Sequence, residues 1–303
     1  MLETNIGEKF LGLFYHDIKD HELVGCNSRV NLHVLRIANN KFDYSNLVYE
    51  LYDSIITYCL SPRELEELAG TPGGKKFFLA VNKLKEHENN DGELGEILLY
   101  CLLESHLKAP KIMTKMELKT SSSDYVKGAD GIHLLQLNDS DFHLIFGESK
   151  LNKKFQRGLY EAFKSIDEYI KRPKNNINDE VLLINSHLIK EAITDEQYKY
   201  LKKIIIPSAQ DDELNTDRAF GIFIGFDLEL EDADWLLPNK TFRQKVRKLI
   251  VETVEKEYQY IENKVKEKGL HGYTFYIFAL PFFELDITRK KVIENLKGAS
   301  NDF

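Results

Sequence analysis

Along this chain, apolar residues alternate with polar ones in some stretches and recur at steps of three and four in others. Branched or alternating apolar residues in Leu11–Tyr15 and Val30–Arg36 (VNLHVLR) predict strands. Tyr44–Leu60 reads as a helix, and Ser61-Pro62 offers an N-cap and a first-turn proline for another. The polar run 86–91 (EHENND) is the best candidate boundary. It divides an N-terminal α+β extension, residues 1–90, from a second unit, residues 91–303.

Beyond that boundary the pattern is regular. Gly92–Leu107 (GELGEILLYCLLESHL) is apolar nearly all round, which predicts a buried helix. A strand follows at Lys111–Lys119, then a Ser-rich turn at 120–124. Two more strands, Gly131–Leu137 and Phe142–Glu148, flank the polar turn 138–141. Phe155, Leu159, Phe163, Ile166 and Ile170 recur at steps of four and three, giving an amphipathic helix from about Asn152 to Lys171. The order is helix, three strands, helix. The remainder adds a strand at Ala219–Leu230, a long amphipathic helix at Thr241–Lys268 ended by Gly269, and a strand at Tyr273–Phe283. The fold class is α/β.

Composition narrows the function. With 303 residues, 43% hydrophobic and 30% charged, the chain buries a core without disulfides or structural metal. Three scattered cysteines with no CxxC pair argue against a disulfide framework or a zinc finger and suit a reducing compartment. Nothing near Met1 has the apolar run of a signal peptide, and the most apolar stretch, Thr274–Phe283, is about half a membrane span, so a cytoplasmic protein is expected. Nine dispersed histidines without HxxxH or HExxH spacing argue against a histidine-metal site. No GxSxG elbow or GxxxxGK[ST] loop occurs, so the chain is not expected to hydrolyse ATP. The formal net charge of -8 speaks against non-specific coating of nucleic acid. Residues 108–157, however, carry nine Lys/Arg against six Asp/Glu, a local +3.

That basic stretch contains the candidate chemistry. Gly147-Glu148-Ser149-Lys150 ends one strand, and Ala129-Asp130-Gly131 begins the one before it. Alternation puts Glu148 and Lys150 on one face. The carboxylate suits a hard cation, and the ammonium suits a water or a developing oxyanion. A four-residue turn at 138–141 would set Asp130 opposite Ser149, off the Glu148 face. A three- or five-residue turn, or a bulge, would bring Asp130 onto that face, and one of these is expected.

Asp130, a strand-length gap and then Glu148-x-Lys150, within a helix–strand–strand–strand–helix order, resembles the PD-(D/E)XK nuclease superfamily. That resemblance implies a restriction-endonuclease-like core, with Asp130 and Glu148 as ligands of Mg2+ (Mn2+ substituting) and Lys150 as the catalytic cation. Many members place a further Glu on the preceding helix. Glu96 is the nearest match, as a further catalytic carboxylate and metal ligand, with Glu93 its rival. Members related to RecB nucleases add a Gln-xxx-Tyr pair, matched here by Gln156 and Tyr160. Ala129 stands where the motif's proline would be. More narrowly, GELGEILLY, KGADGIH and GESK behind a long N-terminal extension resemble the HamA effectors of Hachiman anti-phage defence. This implies a bacterial DNA nuclease that works with a HamB-type helicase partner. Lys153, Lys154 and Arg157 open the following helix, where backbone amides also favour a phosphate, so contact with the DNA backbone is expected there.

Plainer readings stand beside these. Glu148 and Lys150 form an ordinary same-face ion pair if exposed. Glu96 near a helix start also favours the helix dipole. Gln156 and Tyr160 suit a surface pair, and the basic helix start a solvated face. His133 and His143 suit packed core imidazoles. A non-catalytic DNA- or helicase-binding module on the same fold is the rival function.

Overall fold

The computed structural model describes residues 2–85, 92–114, 129–171, 188, 192, 194–205 and 214–298. The proposed boundary 86–91, the Ser-rich turn 120–124 and the end of the 111–119 strand lie outside them.

The chain begins with a short helix, α1 (Glu8–Leu11), and an antiparallel hairpin of β1 (Phe14–Leu23) and β2 (Ser28–Leu35). β1 runs past the expected Tyr15. The remainder, His16–Leu23, is largely polar, so pairing with β2 extends it where the apolar pattern gives no signal. A two-residue ribbon, β3 (Ile37–Ala38) and β4 (Lys41–Phe42), leads into α2 (Tyr44–Cys59), whose N-cap Asp43 accepts from Asn46 N at 3.1 Å. α3 (Pro62–Glu67) opens on a Ser61/Glu64 capping box. α4 (Gly73–Lys85) is an additional helix that pattern reading omits.

α5 (Glu93–Ser105) is buried along its whole length, as its all-round apolar surface requires. Next come β5 (Lys111–Thr114), β6 (Gly131–Gln136), β7 (Asp141–Asn152) and α6 (Phe155–Ile170). After α7 (Asp195–Ile205) the chain forms β8 (Asn215–Asp227) and the short α8 (Asp232–Trp235). The expected single helix over 241–268 is two: α9 (Asn239–Glu255) and α10 (Tyr258–Glu267), separated at Lys256-Glu257. β9 (Thr274–Phe282) and α11 (Leu285–Leu296) follow.

Seven strands form one mixed sheet in the order β1-β2-β9-β8-β7-β6-β5. β2, β9, β8 and β7 are parallel neighbours, and the outer strands pair antiparallel. The N-terminal hairpin thus joins the same sheet as the C-terminal strand β9. Central strands such as β9, with every residue from Phe275 to Phe282 buried, read as continuous apolar runs because both faces are covered. α5 covers one face and α6 the other. A Cβ on Gly221 of β8 would meet Leu103 of α5 at 2.9 Å, and one on Gly158 of α6 would meet Ile224 of β8 at 2.6 Å. Among the described residues, no helix is long and apolar enough to cross a membrane.

Candidate functional site

The site is set by the β6–β7 register. Pairs run from Gln136 with Phe142 to Gly131 with Gly147, so residues 137–141 fill the turn. Asp130 stands one residue before the ladder, close enough for its charge to act on Glu148. The turn is five residues wide between paired positions, one of the widths expected, but the Asp130 carboxylate bonds the hydroxyl of Ser149, on the side away from Glu148. Asp130 N donates to Gly147 O at 2.8 Å, which anchors the aspartate at the ladder's end.

Alternation along β7 then sorts the side chains. Gly147 and Ser149 face α5: a Cβ on Gly147 would lie 3.0 Å from Leu99, and one on Gly95 of α5 would lie 3.3 Å from Ser149 Oγ. A side chain at 95 would be tight against Ser149 and Leu151. Glu148 and Lys150 point to the other face, toward α6, where Ser165 hydrogen-bonds the glutamate. Lys150 Nζ lies 2.5 Å from Glu148 Oε1, with the lysine half-buried and the glutamate buried. Asp130 Oδ2 accepts from Ser149 N at 2.6 Å and from Ser149 Oγ at 2.7 Å.

Electrostatics make the pair unlike a surface ion pair. Desolvation, then the adjacent Asp130 charge, raises the Glu148 carboxyl to about 7 despite the lysine. Two buried carboxylates and one ammonium leave the cluster short of positive charge. A recess of about 10 Å3 beside Glu148, lined also by Ala129, Ser165 and Tyr169, is near the size one water occupies. Carboxylate oxygens, buried and mutually repelling, fit a hard divalent cation.

Glu96 approaches from the α5 side. Tyr58 of α2 donates to its Oε2 at 3.4 Å. The Tyr58 hydroxyl is held well above its usual range by desolvation first, then by the charges of Glu96 and Asp130. Glu96 and Asp130 therefore share a neighbourhood, with Glu148 across the strand. Glu93 instead pairs with Lys297 beyond α11, at 3.3 Å, which leaves Glu96 as the α5 carboxylate next to the cluster. Tyr58, Ser149 and Ser165 are site neighbours that the motif does not announce.

The basic helix start divides. Lys153 and Lys154 are exposed before α6. Arg157 pairs with Glu161 at 2.7 Å and lies over the Tyr160 ring at 4.9 Å. Gln156 donates to Glu257, between α9 and α10, at 2.7 Å, so its amide is engaged within the protein. Lys111, counted in the +3 stretch, is buried and donates to the carbonyls of Thr57 and Leu60, while Lys115, Lys119 and Lys127 lie outside the described residues. A second recess, about 690 Å3, lies nearer the N-terminal ends of the parallel strands beside Glu22, Arg29, His143 and Tyr276. It is larger than the recess at Glu148 but lacks the carboxylate cluster.

One expectation is corrected. The histidines are not all dispersed: His16, His33 and His106 come together. His133 and His143 are core imidazoles, held by Ala109 O and the Tyr276 hydroxyl.

A mixed α/β sheet with two buried carboxylates and a lysine where two of its strands meet defines the class. Within it, the family model for HamA matches residues 9–296, and the chain belongs to the HamA family. No curated protein matches the chain.

Proposed function

We propose that this chain is the nuclease of a Hachiman anti-phage defence system, hydrolysing DNA phosphodiester bonds with Mg2+ and controlled by a HamB-type helicase. HamA membership supports the defence role. The observation that carries the chemistry is the closeness of the Asp130 and Glu148 carboxylates at the end of the β6–β7 ladder, with Lys150 on the glutamate's face. This juxtaposition, between helices on both faces, matches the restriction-endonuclease-like reading of the motif.

Asp130 and Glu148 would hold the cation, with Glu96 assisting as a further ligand from the α5 side. Bound there, Mg2+ would lower the pKa of an attacking water and offset charge on the pentacoordinate phosphorus. Ser149 fixes Asp130 through two hydrogen bonds, so that carboxylate does not have to reorganise. Lys150, half-exposed, orients the water and neutralises charge growing on a non-bridging oxygen. Lys153 and Lys154, with the first-turn amides of α6, hold the neighbouring phosphate and fix the strand's register without reading its bases.

The test is incubation of plasmid with the purified chain, with and without Mg2+, alone and beside the helicase. Cleavage is expected only with Mg2+. Glu148→Gln and Lys150→Met abolish it while circular dichroism stays unchanged. Full cleavage by either variant overturns the assignment.

A further inference from the structure

We propose that His16, His33 and His106 form a binding site for one divalent transition-metal ion of the zinc class, separate from the acidic site. His16 of β1 and His33 of β2 are directly paired in the hairpin. His106 caps the C-terminal end of α5. One ring nitrogen from each lies within 4.8 Å of the others. The rings meet edge to face, with centroids 4.5 Å apart for His16 and His33 and 5.4 Å for His33 and His106.

The second observation is the state of those nitrogens. His33 is 1% exposed, and neither of its ring nitrogens has a hydrogen-bond partner; buried Nε2 of His16 also lacks one. A dry, unpaired imidazole nitrogen costs on the order of 1–3 kcal/mol, and folded proteins rarely keep several together. A metal ion would take one nitrogen from each of the three rings, giving a partner to one of the unpaired nitrogens of His33 and to Nε2 of His16. Asp20 Oδ1 lies 3.0 Å from His106 Nε2, which supplies the carboxylate that orients metal-bound imidazoles. Phe14 and Phe278 pack on the rings and keep the pocket apolar. The β1 ladder is irregular just past His16, between His16 and Ile18, a device that re-aims side chains.

Donor type selects the ion. Three neutral imidazoles suit zinc and its first-row neighbours, whereas Mg2+ wants oxygen. Nitrogens around tetrahedral zinc stand about 3.4 Å apart at bond lengths of about 2.1 Å, so shifts of about 1 Å close the cluster. The ion would tie the β1–β2 hairpin to the end of α5 remote from Glu96, about 15 Å away at 1.5 Å per residue.

The experiment uses the full chain, stripped with EDTA and freed of chelator, titrated with Zn2+ by calorimetry and with Co2+ by visible absorption. One equivalent is expected, with tetrahedral cobalt bands and a rise in Tm of at least about 3 °C. His33→Gln lowers zinc affinity at least about tenfold and removes the bands. Should that variant fail to fold, His106→Gln, at the helix cap, carries the test. Glu148→Gln keeps the full equivalent, which separates this ion from the acidic site. Wild-type protein that takes up no zinc overturns the proposal, as does a folded histidine variant that binds it as tightly as wild type.

Discussion

Two buried glutamates show how differently the same group is used. Glu104, near the end of α5, is fully buried and accepts from the backbone amides of Asn5, Ile6 and Lys111 at 2.6, 3.0 and 3.1 Å. Those amides belong to the N-terminal segment and to β5, so its carboxylate fastens three parts of the chain. Burial raises its pKa, and the amides oppose the rise. Glu148 is nearly as buried but faces a second carboxylate and a single lysine. A carboxylate saturated by fixed amides is structurally complete. One set against another acid remains open to a cation.

The sharpest way to break that contrast is to remove each carboxylate. Glu104→Ala leaves three amides unpaired and is expected to cost at least about 3 kcal/mol in urea unfolding. Glu148→Gln is expected to cost under about 1 kcal/mol, because the neutral amide escapes the repulsion of Asp130. Equal losses would mean that Glu148 is as structural as Glu104.

A buried histidine supplies an intermediate effect. Burial holds His133 down at about 4, and its Nδ1–H donates to Ala109 O. The unfolded chain takes up this proton near pH 6.5, but the folded one only near 4. Stability is therefore complete above 6.5 and falls as pH drops toward 4, by about 3 kcal/mol. His133→Leu should flatten that acid limb in urea midpoints taken between pH 7 and 4, while an unaltered limb would assign the loss elsewhere.

Packing between α6 and β8 gives a smaller effect on stability. Gly158→Ala pushes a methyl into Ile224 and is expected to cost about 1–3 kcal/mol. Because the same helix brings Ser165 to Glu148, cleavage should fall further than the stability loss explains. Last, Arg157→Ala removes an exposed pair with Glu161, and its effect on unfolding free energy should be under about 1 kcal/mol. If Arg157 touches DNA, cleavage of all sequences falls alike, and selective loss on one sequence would argue against a backbone contact.

Much of the acidic site was legible because its parts are close in sequence. Glu148 and Lys150 need only strand alternation, and Asp130 needs one short turn. The width of that turn was open, since a single residue flips the face. Long-range partners gave no such signal. Gln156 meets Glu257 only after α9 has ended, and the break at Lys256-Glu257 interrupts an apolar repeat that reads as one helix. The three histidines come from a strand, its partner and a helix end, so no spacing rule collects them. α4, α7 and α11 have no counterpart in the pattern of apolar positions. The polar part of β1 forms because β2 offers a partner, a tertiary cause that a period-two pattern does not encode.

The place of β9 has a consequence for how the molecule is made. Formed from residues 274–282, it lies between β2 and β8, so a late-synthesised strand fills a central slot. At synthesis rates of about 5–20 residues per second, the early hairpin waits on the order of 10–50 s for that partner. Until then the two halves of the sheet share no ladder, and the growing chain exposes two unpaired strand edges that call for protection on the ribosome.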